Sequence, residues 1–328
     1  MVDADDLCPE KGIRVNRDLY DFDFDVLEEL RVRTETAATG PVLIVALRPL
    51  VDAGHVTEIT AEHLIAGGDV RRFVTFDHDS LIDYHARRPT MTFEVNRWTE
   101  YRQPHISLDV VSDAEGTDYL LLHGVEPDRR WDGFTEVIRE LVEEFNISLV
   151  VGVYGIPMGI PHTREHSAIM HATRDSLLTT QPRWVGTVEV PASIANLLEF
   201  QLGEQGRDAV GIAAHVPHYL LQSQYYPSAL VAVSRLEDVT GLDLRVGELA
   251  HAAAEARAEV DRQVEQSPEV AEVVRGLENQ YDAFMAARDS ESLLVRETQL
   301  PSADELGAEF EDFLRQEWRK GHRGDSSH

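Results

Sequence analysis

Three short runs rich in β-branched residues limit what this chain can fold into: "PVLIVALRPL" (41–50), "ISLVVGVYGIP" (147–157) and "DAVGIAAHVP" (208–217). Short apolar runs without polar alternation read as strands covered on both faces, as the strands of parallel sheets are. Helical periodicity separates them. Val56, Ile59, His63 and Ile65 recur at roughly helical spacing before Gly67-Gly68, a helix stop. Phe134, Val137, Ile138, Leu141, Val142 and Phe145 fall at i, i+3, i+4, i+7, i+8 and i+11, one apolar helix face. This alternation predicts an α/β domain, a three-layer sheet with helices on both faces.

The remaining elements follow from turn and cap residues. "VRRFVTFD" reads as the second strand of a β-α-β start, and "TMTFEV" as a further strand. "HISLDVV" and "TDYLLLHG" flank the turn-rich "SDAEG" and predict a hairpin. "RWVGTVEV" predicts a strand before a helix that starts near Pro191. Ile194, Leu197, Leu198 and Leu202 form that helix's buried stripe, and Gly203 or Gly206 ends it. "SALVAVSRLEDVTG" is the helix that returns after the last strand. Beyond about Gly247 come two helices separated by Ser267 as N-cap and Pro268 at the first position. Ser302 and Glu305 have capping-box spacing for a final helix. The expected organisation is an N-terminal arm over 1–36, an α/β core over 37–246, and a helical extension with a polar tail over 247–328.

Charge and composition exclude several functions. The 328-residue chain carries a formal charge of −29, which repels nucleic acid phosphates. No apolar stretch is long enough to span a bilayer. "MVDADDLCPEKG" lacks the apolar region of a secretory signal, so a cytoplasmic address is expected. Cys8 is the single cysteine, so neither an internal disulfide nor a cysteine metal cluster can form. Lysine occurs only at 11 and 320, which leaves no G-x-x-x-x-G-K-[ST] phosphate loop.

Two of the strand-like runs lead into a Pro-His pair, in "GIPMGIPHTREH" (155–166) and "HVPHYL" (215–220). Ligand sites of open α/β sheets gather beyond the C-terminal ends of the strands. There the sequence places Arg48, Asp52, His123, Glu126, Asp128, His162, Thr163, Arg164, His215, His218 and Tyr219 as the rim of one crevice or interface. His162 and His166, at i and i+4, could join Glu126 or His218 on zinc, but Pro161 points to a loop or helix start and no H-E-x-x-H is present. No metal and no cofactor is expected. Ser167 and Ser193 read as surface or capping hydroxyls rather than nucleophiles, since no G-x-S-x-G elbow occurs. "PHTR", as a helix start, could hold a carboxylate or phosphate together with Arg164. The plainer reading is that proline ends each strand and histidine satisfies loop carbonyls.

Taken together, "DHDSLIDYHARRP", "HGVEPDRRW", "YGIPMGIPHTR" and "VPASIANLLEFQLGEQGRDAVGIAAHVPHYLLQSQYYPSA" resemble the proteasome assembly chaperone 2 family, in particular its longer actinobacterial members. The resemblance implies a phosphorylase/hydrolase-like α/β domain with added C-terminal helices. It also implies a homo-oligomer, a trimer among the options, that binds other proteins, proteasome subunits included. It carries no catalytic residues onto these positions. Some archaeal relatives dock through a hydrophobic-Tyr-X tail, whereas this chain ends "GDSSH". The expectation is therefore a non-catalytic assembly-chaperone-like protein. The alternative is a hydrolase, phosphorylase or carboxylate–amine ligase-like enzyme working in the crevice.

Overall fold

The computed structural model describes residues 18–36, 39–178 and 187–291. In chain order the elements are β1 (Tyr20–Phe22), α1 (Phe24–Thr36), β2 (Val42–Arg48), α2 (Val56–Gly67), β3 (Asp69–Phe76), α3 (His78–Leu81), β4 (Met91–Glu94), β5 (Arg97–Tyr101), β6 (Ile106–Ser112), β7 (Asp118–Val125), α4 (Trp131–Glu144), β8 (Leu149–Met158), β9 (Ala168–Ala172), α5 (Ile194–Glu204), β10 (Ala209–Pro217), α6 (Tyr226–Thr240), α7 (Val246–Glu265) and α8 (Pro268–Glu291). The chain divides into two compact units, residues 1–179 with 193–279, and 180–192 with 280–328. In the second, residues 187–192 are irregular and exposed, and 280–291 are helical. The rest of the description concerns the first.

Eight strands form one mixed sheet in the order β1-β3-β6-β7-β2-β8-β10-β9. Its centre, β7-β2-β8-β10, is parallel, and antiparallel pairs flank it on both sides. Side chains alternate across β2 as its period of two requires. Leu43, Val45 and Leu47 join a core closed by α1, α4 and α5, through residues such as Leu27, Phe134 and Leu198. Ile44 and Ala46 join a second core closed by α2, α6 and α7, through Ile59, Val233 and Leu249. Helices thus cover both faces, the three-layer α/β arrangement expected. All six residues of the predicted α4 face are buried. Each contributes roughly 1.5–3 kcal/mol, so this face docks the helix firmly.

Two expectations about elements change, the place of β3 and the strand at "RWVGTVEV". β3 does not lie beside β2, because β6 and β7 stand between them. Only one part of β3 is deeply buried, and Arg71 and Arg72 keep the rest half-wet, which suits a position away from the centre. "TMTFEV" stays out of the main sheet and pairs only with β5. Of "RWVGTVEV", residues 187–190 form no strand and 183–186 lie outside the described residues; β9, unanticipated, pairs with β10 instead. The helix expected at Ser302 lies outside the described residues. Within the expected N-terminal arm, β1 extends the sheet beside β3 while Leu27 and Leu30 of α1 enter the first core. No helix among the described residues is long and apolar enough to cross a membrane.

Candidate functional site

β8 and β10 are adjacent parallel strands whose ends are in register, with Pro157 opposite Val216 and Met158 opposite Pro217. The two Pro-His bends therefore leave the sheet side by side. The first is a single turn, in which the Arg164 N–H donates to the Pro161 carbonyl at 3.3 Å. The second is a short 3-10 turn over His218–Leu220.

One hydroxyl joins the bends. Tyr219 Oη accepts from the His162 backbone N–H at 2.8 Å and lies 2.6 Å from His162 Nδ1. His162 Nε2 lies 3.0 Å from Asp261 Oδ1 on α7. A single assignment satisfies all three contacts: the tyrosine donates to Nδ1, and Nε2–H donates to the carboxylate. Burial pushes the Tyr219 hydroxyl up to about 12, which keeps it a donor. The His162 side chain is 1% exposed, so each of these bonds replaces water that has been excluded.

The C-terminal helices grip the same turn. Arg257 of α7 donates to the Thr163 carbonyl at 2.9 Å. Glu278 of α8 accepts from the Thr163 hydroxyl and pairs with Arg164 at 3.2 Å. Just beyond the turn, His166 Nε2 lies 3.0 Å from Tyr225 Oη, and Ser167 Oγ lies 3.1 Å from His215 Nδ1. Burial drives both histidines down to about 4; for His166 the positive charge of Arg257 adds to the effect. His218 packs edge-on against Tyr219 at 5.4 Å and is lowered by burial, which its bond to the Met158 backbone opposes.

The other rim residues serve separate local joints. The Asp52 carboxylate accepts from the Thr57 and Glu58 N–H groups at 3.0 and 3.1 Å and so caps α2; burial raises its pKa. Its loop reaches the second bend through backbone bonds, Gly54 to Leu221 at 2.8 Å and Tyr225 to Gly54 at 2.9 Å. Arg48 pairs with Glu58 at 2.8 Å. Glu126 turns to the other face and accepts the Ile194 N–H at the start of α5, with its pKa raised by burial. Asp128 holds Arg87 at 3.0 Å. His123 enters a buried cluster with Asp109 at 2.9 Å and Ser107 at 3.3 Å. The structure thus brings His162, Thr163, Arg164, His215, His218 and Tyr219 together, and does not place Arg48, Asp52 and Glu126 with them around one opening.

Two chemical readings are corrected. Residues 162–166 are not helical, so His162 and His166 do not share a helix face, and each meets a tyrosine of its own. Among the described residues no group of three or more histidines, cysteines and carboxylates could hold a metal ion. "PHTR" runs from its turn into β9 without starting a helix, so it offers no row of free N–H groups to an anion. A surface depression of about 460 Å³ lies elsewhere, lined by Glu136, Arg139, Glu140, Gln205 and Arg207. Sequence reasoning missed Arg257, Asp261 and Glu278. The opposite charges of Arg257 and Asp261, at i and i+4 on one helix face, were the available signal.

Residues 46–264 match the model of the PAC2 family. A Mycobacterium tuberculosis protein of unknown function is 36% identical, with a TM-score of 0.81, over 87% of this chain and 96% of its own. A Corynebacterium glutamicum protein of unknown function is 32% identical, with a TM-score of 0.74, over 82% of this chain and 98% of its own. A Mycobacterium tuberculosis proteasome-assembly chaperone homologue shares the fold at 24% identity, with a TM-score of 0.64, over 71% of this chain and 99% of its own. Comparison with curated proteins gives no match.

Proposed function

The chain belongs to the PAC2 family, and we propose that it is a non-catalytic, protein-binding assembly factor that self-associates and has proteasome subunits among its partners. The observation that carries this reading is the joint at His162. Its polar groups bind Tyr219 and Asp261 of the same chain instead of facing a cleft. The bends thus present a shape held by α7 and α8, and shape is what a protein partner recognises. The likeness to the Mycobacterium tuberculosis proteasome-assembly chaperone homologue suggests the class of partner. The test is to mix the tagged full chain with purified proteasome α- and β-subunits and follow ring assembly by native mass spectrometry. Complexes containing this chain and an α-subunit are expected. Their absence, with unchanged assembly kinetics, would refute the proteasome partner.

One observation favours a second reading. The exposed Ser167 Oγ lies within reach of His215 Nδ1, a nucleophile–base pairing. A fluorophosphonate probe that labels Ser167, and fails to label a His215→Ala variant, would support a hydrolase. An unlabelled wild-type chain would remove that reading.

A further inference from the structure

A second tyrosine–histidine–carboxylate series lies away from the bends. His171 Nε2 is 2.7 Å from Tyr154 Oη, and His171 Nδ1 is 2.8 Å from Glu199 Oε1. One assignment satisfies both contacts: Nδ1–H donates to the carboxylate, and the tyrosine donates to Nε2. The strand period fixes where the groups lie. Tyr154 shares the sheet face of Val150 in the first core, and His171 lies on the face opposite Met170 and Ala172, which pack on the second. Glu199 reaches them from α5, which helps close the first core. Gly211 makes the room, since a Cβ there would meet the His171 ring at 2.0 Å. The Asn196 side chain, three residues before Glu199, donates to the tyrosine oxygen. Unlike the His162 joint, this series opens to solvent. The His162 side chain is 1% exposed, against 36% for His171 and 16% for Glu199. Tyr154 and Asn196 are partly exposed.

We propose that Tyr154 is a nucleophile, with His171 as its general base and Glu199 as the positioning residue, and that it takes an acyl group from an uncharged activated ester or thioester. The geometry is that of a hydroxyl, a base within hydrogen-bond reach and a group that orients the base. Burial and the charge of Glu199 push Tyr154 up to about 12, so the phenol is neutral at rest and needs the base at the moment of attack. In the step, the tyrosine oxygen bonds to the acyl carbon, and the bond from that carbon to the leaving oxygen or sulfur breaks. The phenol proton passes to His171 Nε2 and from there to the leaving group. The products are an acyl-tyrosine ester and a free alcohol or thiol. Glu199 offsets the positive charge that His171 carries between the two transfers. Asn196 meets the negative charge that gathers on the tyrosine oxygen as its proton leaves. Charge selects the electrophile. A phosphoryl group would bring negative charge to Glu199 and to a chain of net charge −29, whereas an ester carbonyl brings none. Phe200, 63% exposed and four residues from Asn196 on α5, offers an apolar neighbour to the acyl chain. Uptake of one acyl group is a covalent modification, so the inference goes beyond the preceding reading and does not rest on it.

The test treats the full chain with p-nitrophenyl acetate, quenches it in acid and reads acetylation of each tyrosine by peptide mass spectrometry. Tyr101, 50% exposed on β5, is the reference within the same molecule. Tyr154 should be acetylated at least about tenfold faster than Tyr101. His171→Phe should remove that advantage. Glu199→Gln keeps a hydrogen-bond acceptor and removes the charge. It should slow Tyr154 severalfold and move the acid limb of its rate–pH profile to lower pH, which a merely structural tie would leave in place. Tyr219, held in the His162 joint, should stay unmodified in every variant that keeps its fold. If His171→Phe exposes Tyr219, the Glu199→Gln chain decides. A wild-type Tyr154 no faster than Tyr101 would overturn the proposal, and so would a Tyr154 equally fast in the folded variants. Either result would leave the series as a tie between β9 and α5.

Discussion

Tyr219→Phe removes one atom and tests whether the two bends form a joint. The hydroxyl serves two bonds to His162, one to its backbone N–H and one to Nδ1. Phenylalanine fills the same space and keeps the edge-on contact with His218, so little packing is lost. What remains are two polar groups of a buried histidine with no partner and no water. Leaving a buried group unsatisfied costs about 1–3 kcal/mol, and the two here share one site, so about 2–3 kcal/mol is the reasonable total. At about 2 °C per kcal/mol for a chain of this size, the melting midpoint should fall by about 4–6 °C. Differential scanning calorimetry reads this, with Tyr225→Phe as the control. Tyr225 makes a single bond to a side chain, His166 Nε2, and should lose about 1 kcal/mol. If Tyr225→Phe lowers the midpoint as much as Tyr219→Phe does, the joint does not bear the energy assigned to it.

Acidification should destabilise the fold between about pH 6.5 and 4 through His166 and His215. Their folded pKa, about 4, lies below the ordinary 6.5, so the unfolded chain holds more protons in that window and stability falls as pH drops. Asp52 and Glu126, raised by burial, act in the opposite direction. Urea midpoints across this range should flatten in a His166→Gln/His215→Gln variant, and an unchanged slope would count against the assignment. Gly155→Ala places a Cβ 2.2 Å from the Ala53 carbonyl oxygen and should lower stability by about 1–3 kcal/mol, whereas Gly276→Ala, on the open face of α8, should raise helix stability by about 1 kcal/mol; equal effects in thermal melts would contradict both. Ser193→Ala removes the side-chain acceptor of the Asn196 N–H and should cost about 1 kcal/mol. Early amide exchange confined to the first turn of α5 would show it, and exchange unchanged there would contradict the cap.

What was legible in the sequence is what local chemistry dictates. The apolar runs at 42–48, 149–158 and 209–217 had to be covered strands, and the spacing from Phe134 to Phe145 allowed one buried face. "SDAEG" had to turn, and β6 and β7 pair across it. Strand order was not legible, because the partner of β3 is decided by which strand can tolerate a half-wet position. β5 escaped notice because every residue of "RWTEY" is exposed, so no burial alternation marks it. At the site, the bends could be placed because a proline lies at or just beyond the end of each strand. Their chief partner could not. Asp261 lies 99 residues beyond His162, and the i, i+4 charge pair in "RAEVDRQ" marks a helix face without naming the bend it meets.

The pairing of proline with histidine divides one task into two parts. The prolines act on the backbone. Pro217 closes β10 opposite Met158, the last residue of β8, and lacks the N–H that would continue the ladder, so the two strands end at one level. The histidines then decide what those turns hold. His162, at 0% exposure, has no water to fall back on, and only an imidazole offers an acceptor to Tyr219 at one nitrogen and a donor to Asp261 at the other. A glutamine could reach one of these partners, and an alanine neither. The attachment of α7 therefore depends on a residue in the loop after β8, and that loop's conformation depends on α7. The helix and the loop are thus tied at two points, the His162 ring on Asp261 and the Arg257 bond to the Thr163 carbonyl.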